Sequence, residues 1–319
     1  MSNFNRLSKI LISLIEKRRT YTKVFTISET CCQTLSWQNF HIIAAQFVSI
    51  SNCCIPHVVY REVHSVQDTK RLQDDLDSLQ AWELDWLMEF NPSKCEAITF
   101  TKKTKPVRTK YKLHDQILAT VSSARYLGVH INSKLSWNTH IDITAKKATQ
   151  SLTFLRRNFS CCPLTIREQC YKTLVRPQLE YASSVWDNPV KRNVNKIEAV
   201  QRSAARFACR DHKHTSSVTA MLQKLQWDSL QERRAHSRVI MLYRIRNGLV
   251  AIPASTYLQP VTSHARGSET RYRQIQCNTN VYSYTFFPTA ICLWNTLPVD
   301  VCQLPPARFK TQLDSVQLM

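Results

Sequence analysis

Three glycines in 319 residues set the tightest limit on what this chain can become. Average usage would supply about 22. Folds that hold a nucleotide in a glycine-rich turn need several glycines together, because only there does backbone approach a phosphate with no Cβ in the way. Gly128, Gly248 and Gly267 stand far apart. Dinucleotide-binding enzymes, P-loop NTPases and kinases are therefore excluded.

The remaining composition is that of a folding chain with a polyanionic partner. Hydrophobic residues make up 43% and aromatics 9%, enough to build a core. A formal charge of +20 points to nucleic acid or to an acidic membrane surface. The charge is uneven: +4 over residues 1–57, −5 over 58–100, and +21 over 101–319, where 33 basic residues face 12 acidic ones. Twelve cysteines include three vicinal pairs and no Cys-x-x-Cys, which reads as reduced thiols in a cytoplasmic or nuclear protein. The apolar run Ile10 to Ile15 is too short for an export signal. The uncharged stretch Thr30 to Tyr60 is broken by Gln33, Asn39, His41, Gln46 and Asn52, so no membrane span is expected.

Local patterns give the elements. Ser65 with Asp68 reads as a capping box, followed by Leu72, Leu76, Leu79, Trp82 and Trp86 at helical spacing; a helix is expected from Val66 to Glu89, stopped at Asn91-Pro92. Cys95 to Thr101 alternates as a strand, and Thr101 to Lys110 is a basic hairpin tip or linker. Tyr126 to Ile131 reads as strand with turns, and Asn138 to Phe159 as a helix ending in Arg156 and Arg157. Pro163 opens a helix towards Trp186 whose basic face carries Arg167, Lys172 and Arg176. A helix over Val194 to Cys209 presents Lys196, Arg202, Arg206 and Arg210. The segment Asp228 to Ile245 continues the basic pattern with Arg233, Arg234, Arg238, Arg244 and Arg246, and Asn247-Gly248 stops it. Beyond Ala251 the chain reads as irregular, with a strand at Arg273 to Cys277 and short helices after Pro288 and Pro305-Pro306.

These segments, in order, resemble the distal half of a non-LTR (LINE-type) retrotransposon reverse transcriptase. The resemblance runs through Asp74-Asp75-Leu76 to Trp86, Phe90-Asn91-Pro92-Ser93-Lys94-Cys95, Tyr126-Leu127-Gly128-Val129 and Leu135 to Ile141. It continues through Tyr171 to Ala182, Glu198 to Arg202, Leu242-Tyr243-Arg244-Ile245 and Leu293 to Pro298, from about Val58 to Leu313 in all. It implies that Lys94 occupies the late palm position near the triphosphate, where a lysine can protonate the leaving pyrophosphate; a solvated lysine at a turn is the other reading. It implies that Tyr126 and Gly128 belong to a primer-grip hairpin, with an ordinary glycine turn as the alternative. Tyr126 or Trp137 would stack on bases if exposed, or pack in a core if not.

One departure bears on the chemistry. The resemblance implies two adjacent carboxylates on a turn shortly before Val58, holding two magnesium ions for phosphoryl transfer. The chain has Ser51 to His57 there, and no carboxylate between Glu29 and Glu62. Asp74-Asp75 is the one adjacent acidic pair, and it sits inside an amphipathic helix. Cys209 to His214 lacks the second pair that structural zinc needs, and no Gly-x-Ser-x-Gly elbow proposes a hydrolase.

The architecture expected is α+β. Residues 1–57 are unplaced; 58–134 form a small late palm and primer-grip remnant of helix and short strands; 135–250 form a mostly α-helical basic thumb-like region; 251–319 form an irregular trailing segment. The function expected is a truncated reverse-transcriptase-like protein that binds RNA or DNA as a primer–template would present it, through Lys94, Tyr126, Gly128, Arg156, Arg157, Lys172, Arg176, Lys196, Arg202 and Arg206. No cofactor is expected, since the ligands for the family's Mg2+ are missing, and no membrane. A protein partner supplying the missing palm is open. A decayed-element product or an interaction protein is the alternative, ahead of an active RNA-directed DNA polymerase.

Overall fold

The computed structural model describes residues 21–26, 58–86, 90–101, 107, 109–262, 268–278 and 280–318. The runs Ile10 to Ile15 and Ser51 to His57, most of the basic stretch 101–110, Glu89 and Gly267 lie outside the described residues. Two compact units divide the chain, one over residues 17–137 and the other containing residues 138–319. The mixture of helices with a few short strands makes the protein α+β.

The first unit is built on a four-stranded sheet of order β2-β1-β3-β6. Its second strand in that order is β1 (Tyr21–Thr26), from the segment the sequence leaves unplaced. It pairs antiparallel with β2 (Val58–Glu62), Tyr21 opposite Glu62, and with β3 (Cys95–Phe100), Thr26 opposite Cys95. β1 is thereby paired on both flanks, and β2 and β6 are the edges of the sheet. Helix α1 (Val66–Trp86) buries Leu72 and Leu76 with Val59, Phe90, Cys95, Ala97, Tyr111, Leu113 and Leu118.

The capping box forms as its residues dictate. The Ser65 amide donates to Asp68 Oδ2 at 2.9 Å, the Asp68 amide returns to Ser65 Oγ at 3.3 Å, and the His64 amide adds a third bond to Asp68 at 3.0 Å. The polar side of α1 then holds the hairpin of β4 (Lys112–Leu113) and β5 (Gln116–Ile117). Gln73 exchanges two 3.0 Å bonds with the Lys112 backbone, and Gln80 accepts from the His114 amide. Buried Glu83 meets His114 Nε2. The hairpin turn needs that support, because His114 and Asp115 both adopt positive φ, +48° and +60°, without being glycine.

After β6 (Ala119–Thr120), which joins β3 in parallel, a second hairpin follows from β7 (Ser123–Tyr126) and β8 (Val129–Asn132). Tyr126 lies opposite Val129, so the turn is Leu127-Gly128 with φ of +45° and +82°, the two-residue primed type that glycine favours.

The second unit begins with α2 (Asn138–Phe159), whose stripe Ile141, Ala145, Ala148, Leu152 and Leu155 is buried. The helix expected from Pro163 to Trp186 is interrupted twice. It starts as α3 (Leu164–Cys170), widens into a π turn over Tyr171–Val175 where the Arg176 amide reaches back to the Tyr171 carbonyl, and resumes as α4 (Arg176–Glu180). Pro177 explains the widening, since its ring has no N–H and crowds the carbonyl four residues back. Ala182 at φ +53° then turns the chain into α5 (Ser183–Trp186). α6 (Lys191–Cys209) packs Ile197, Val200, Ala204, Ala205 and Ala208, and α7 (Val218–Lys224), which the sequence reading did not anticipate, lies beside it.

α8 (Leu230–Arg246) is capped by Ser229, whose Oγ accepts from the Glu232 amide, and stops at Gly248 with φ +65°. The trailing segment is largely irregular over its described residues as far as Thr285 and helical beyond, with helices at Pro288 and Pro306 where the sequence suggests them. α9 (Phe286–Thr296), α10 (Val299–Cys302) and α11 (Pro306–Leu313) bring Phe287, Ile291, Trp294, Phe309 and Leu313 against Val239, Leu242 and Ile245 of α8, forming one core. The aromatic run Phe286-Phe287, separated from the basic helices in sequence, covers the apolar side of α8. Instead of a strand, residues 273–277 are extended chain; the bridge there joins Tyr272 to Pro260. No described helix is long and apolar enough to cross a membrane.

The capping geometry has a pH consequence. The His64 backbone bond, then those from Ser65, hold the Asp68 carboxyl below its ordinary 3.8. A depressed carboxyl contributes stability above its unfolded value and loses it as pH falls through the folded value. Far-ultraviolet circular dichroism on acidification should show helix loss below about pH 4 that Asp68→Asn, less stable at neutral pH, lacks.

Candidate nucleic-acid interface

The basic residues of the second unit divide into those that build the fold and those that face outward. The inward set is led by α8. Arg234 Nε donates to Asp187 Oδ1 at 2.8 Å and Arg238 Nη2 to Oδ2 at 2.9 Å, with the two guanidinium side chains only 2% and 4% exposed. Burial lowers the Arg238 pKa, and Asp187 opposes that shift. Arg233 forks onto Glu180, and Arg246 lies over the Trp294 ring at 5.3 Å while donating to the Cys302 carbonyl. The basic pattern of Asp228 to Ile245 is therefore chiefly internal wiring. Asp187, at the end of a short irregular helix, gives no sign in sequence that it will draw two arginines out of water.

Several expected contact residues are likewise committed. Arg156 donates to the Ser203 carbonyl at 2.8 Å and hydroxyl at 2.6 Å, tying α2 to α6. Lys196 pairs with Asp142 across the same seam, and Lys172 with Glu168 along its own helix. Arg206 closes the loop after α6 by donating to the Lys213 and Ser216 carbonyls, and Arg210 donates to the Ser160 carbonyl at 2.7 Å. Arg167, expected on an exposed basic face, is buried, its own charge disfavoured by burial and by Arg210.

The outward set is smaller. Arg157 and Arg202 are exposed and carry no hydrogen-bond partner among the described residues; Arg176 is half-buried. Lys146 and Lys147 on α2, which the sequence reading did not single out, are exposed too. Lys94 is exposed at the end of a single 3-10 turn capped by the Asn91 carboxamide. Gly128 sits at the exposed hairpin tip, whereas Tyr126 is 3% and Trp137 8% exposed. Of the two readings open for these aromatics, core packing is the one observed, and the alternation of β7 points Tyr126 inward. Phe154, at 59%, is the exposed aromatic of α2. Its position off the buried stripe 141–145–148–152–155 was legible in the sequence.

The acidic groups do not assemble. Asp75 is gripped bidentately by Arg61 at 2.7 and 3.0 Å, and Asp74 faces solvent from α1. Among the described residues no three His, Cys, Asp or Glu side chains are grouped to hold a metal ion, so the residues described do not fit the paired-magnesium centre that the resemblance implies. The Cys95 thiol, pushed up to about 12 by burial and by Glu83, is no nucleophile. The loop after Cys209 is held by Arg206 and by an Asp211 carboxylate that accepts from the Lys213 amide.

Comparison with known proteins gives this charge distribution a context. No family model matches the chain. Over 160 residues, 49% of this chain, it is 30% identical to the probable RNA-directed DNA polymerase from transposon BS of Drosophila melanogaster, covering 16% of that protein. It is 28% identical over 143 residues to the RNA-directed DNA polymerase from mobile element jockey of Drosophila melanogaster, covering 43% of this chain and 15% of that one. It is 24% identical over 155 residues to the probable RNA-directed DNA polymerase from transposon X-element of Drosophila melanogaster, covering 47% and 17%. The chain is related to non-LTR retrotransposon reverse transcriptases. It spans about a sixth of the length of these curated relatives.

The segments beyond Asn138 on which the resemblance rests contain buried packing residues beside exposed ones such as Arg202. Tyr171 is fully buried, stacks on Trp227 at 4.3 Å and donates to Gln201 Oε1 at 2.7 Å; Gln201 passes the network to the Asp228 carbonyl. Trp294 donates to the Thr270 carbonyl, and Asn295 both accepts from and donates to the Tyr272 backbone. Replacing Asp187 with Asn leaves two buried guanidinium groups without a counter-charge and should cost about 3–5 kcal/mol, whereas Arg202→Ala at the surface should stay within about 0.5 kcal/mol, both read by urea denaturation.

Proposed function

We propose that this protein is a reverse-transcriptase-derived chain that binds RNA or DNA through its outward cations and performs no polymerase chemistry. The observation that carries the reading is the sorting of charge in residues 138–319. Asp187, Glu180, Asp142 and Glu168 are each spent on an internal or half-buried cation, which leaves Lys146, Lys147 and Arg157 of α2 without an acidic partner among the described residues; exposed Arg202 of α6 has Glu198 one turn before it. Phosphate neutralisation by such cations supplies sequence-independent affinity.

On this reading the first unit, with Lys94 on its turn and the Gly128 hairpin, corresponds to a late palm and primer grip, and the helices after Asn138 to a thumb. Lys94 would lie towards a phosphate, positioned by the Asn91 cap. The lack of any carboxylate between Glu29 and Glu62, together with the capture of Asp75 by Arg61, supports the view that metal-assisted phosphoryl transfer is missing from the chain as it stands. An interaction protein with no nucleic-acid role would show affinity that salt leaves unchanged.

Filter binding of purified full-length chain to RNA and DNA tests this. Log K should fall linearly with log salt, EDTA should leave binding unchanged, and Arg202→Ala should lower the slope by about 1. Salt-independent affinity, or magnesium-dependent nucleotide incorporation abolished by EDTA, would overturn it.

A further inference from the structure

The outer face of α2 has a composition that the general electrostatic reading does not account for. Helical spacing places Ile143, Lys147, Gln150, Phe154 and Asn158 within one narrow stripe, with Lys146 and Arg157 on its flank. Phe154 is 59% exposed and Ile143 40%, although both could have been polar without loss to the core on the opposite side. The nearest acid on the helix, Asp142, points off the stripe and is occupied by Lys196. The Asn158 amide donates to the Phe154 carbonyl, and Gln178 of α4 reaches Ser151 Oγ at 2.9 Å, fixing the flank of the stripe. Along the axis Lys147 lies about 10 Å before Phe154 and Arg157 about 4.5 Å after it.

An exposed ring between cations and amides, with no free carboxylate beside it, suits an unpaired base whose backbone runs past on either side. A base offers its π-face whatever its identity, and the flanking Lys and Arg take the phosphates. Duplex presents its phosphates but keeps its bases stacked on one another, so it would use the cations and leave the ring idle. Resting on the nucleic-acid reading above, we infer that the α2 stripe is a stacking platform for single-stranded RNA or DNA, with Phe154 as the base-stacking residue and Lys147 and Arg157 as its phosphate contacts.

Fluorescence anisotropy with the full chain decides it, using a labelled single strand of about 12 nucleotides and the matching duplex. Phe154→Ala should weaken single-strand binding about tenfold with the salt slope unchanged, and leave duplex affinity within about twofold. Phe154→Trp should bind the single strand at least as well as the wild type. Because Phe154 is outside the core, the melting profile of both variants should match the wild type. Single-strand affinity untouched by Phe154→Ala, or an equal loss on duplex, would overturn the platform. So would a change in the sedimentation of the free chain, which would mean that Phe154 seats a second copy. Absence of salt-dependent binding by the wild type itself would instead remove the underlying nucleic-acid reading.

Discussion

The second unit depends on one carboxylate. Asp187 draws Arg234 and Arg238 of α8 out of water and fixes them beneath the α4–α5 corner, where Ala182 reverses the chain at positive φ. Glu198 adds a second carboxylate near Arg234, and Arg234 Nη1 and Arg238 Nε have no hydrogen-bond partner among the described residues. Such an arrangement stabilises only while the Asp187 carboxylate is in place, and its worth lies as much in register as in energy. The same helix, α8, carries Val239, Leu242 and Ile245, which form one core with Phe287, Trp294 and Phe309 of the trailing helices.

The same cluster explains why net charge overstates the binding surface. A charge of +21 beyond residue 100 suggests a continuous basic face, yet arginines 156, 167, 206, 210, 233, 234, 238 and 246 are bound to carbonyls, carboxylates or an aromatic ring of the protein itself. Arginine suits both tasks because its planar fork satisfies several acceptors at once. Exposed cations remain on α2 and α6, and also at Lys134, Lys213, Lys224, Arg271, Arg273, Arg308 and Lys310. The proposed binding surface therefore rests on fewer cations than the sum over the chain suggests.

Much of the local structure was legible. The capping box at Ser65, the limits of α2, the glycine turn at 127–128 and the Gly248 stop each follow from short-range chemistry, and each stands where the pattern puts it. The failures share a cause. Tyr21–Thr26 is rich in the β-branched and aromatic residues of strands, but its place between β2 and β3 is set by residues far along the chain. The inward arginines are indistinguishable from outward ones until a distant carboxylate is known, and Tyr126 and Trp137 look like stacking candidates until the sheet and helix that bury them are formed. The π turn before Pro177 lies between: the proline signals a disturbance, but whether it breaks or widens the helix is decided by packing around Tyr171.

The central claim, that the outward cations of α2 and α6 form the surface a nucleic acid occupies, is tested most directly by chemical footprinting. Full-length chain would be treated with lysine- and arginine-modifying reagents, with and without saturating single-stranded nucleic acid, and the modified positions read by mass spectrometry. The account predicts protection at Lys146, Lys147, Arg157 and Arg202, and no reaction at Arg234 or Arg238 in either condition. Equal reactivity of those four residues with and without nucleic acid would contradict it.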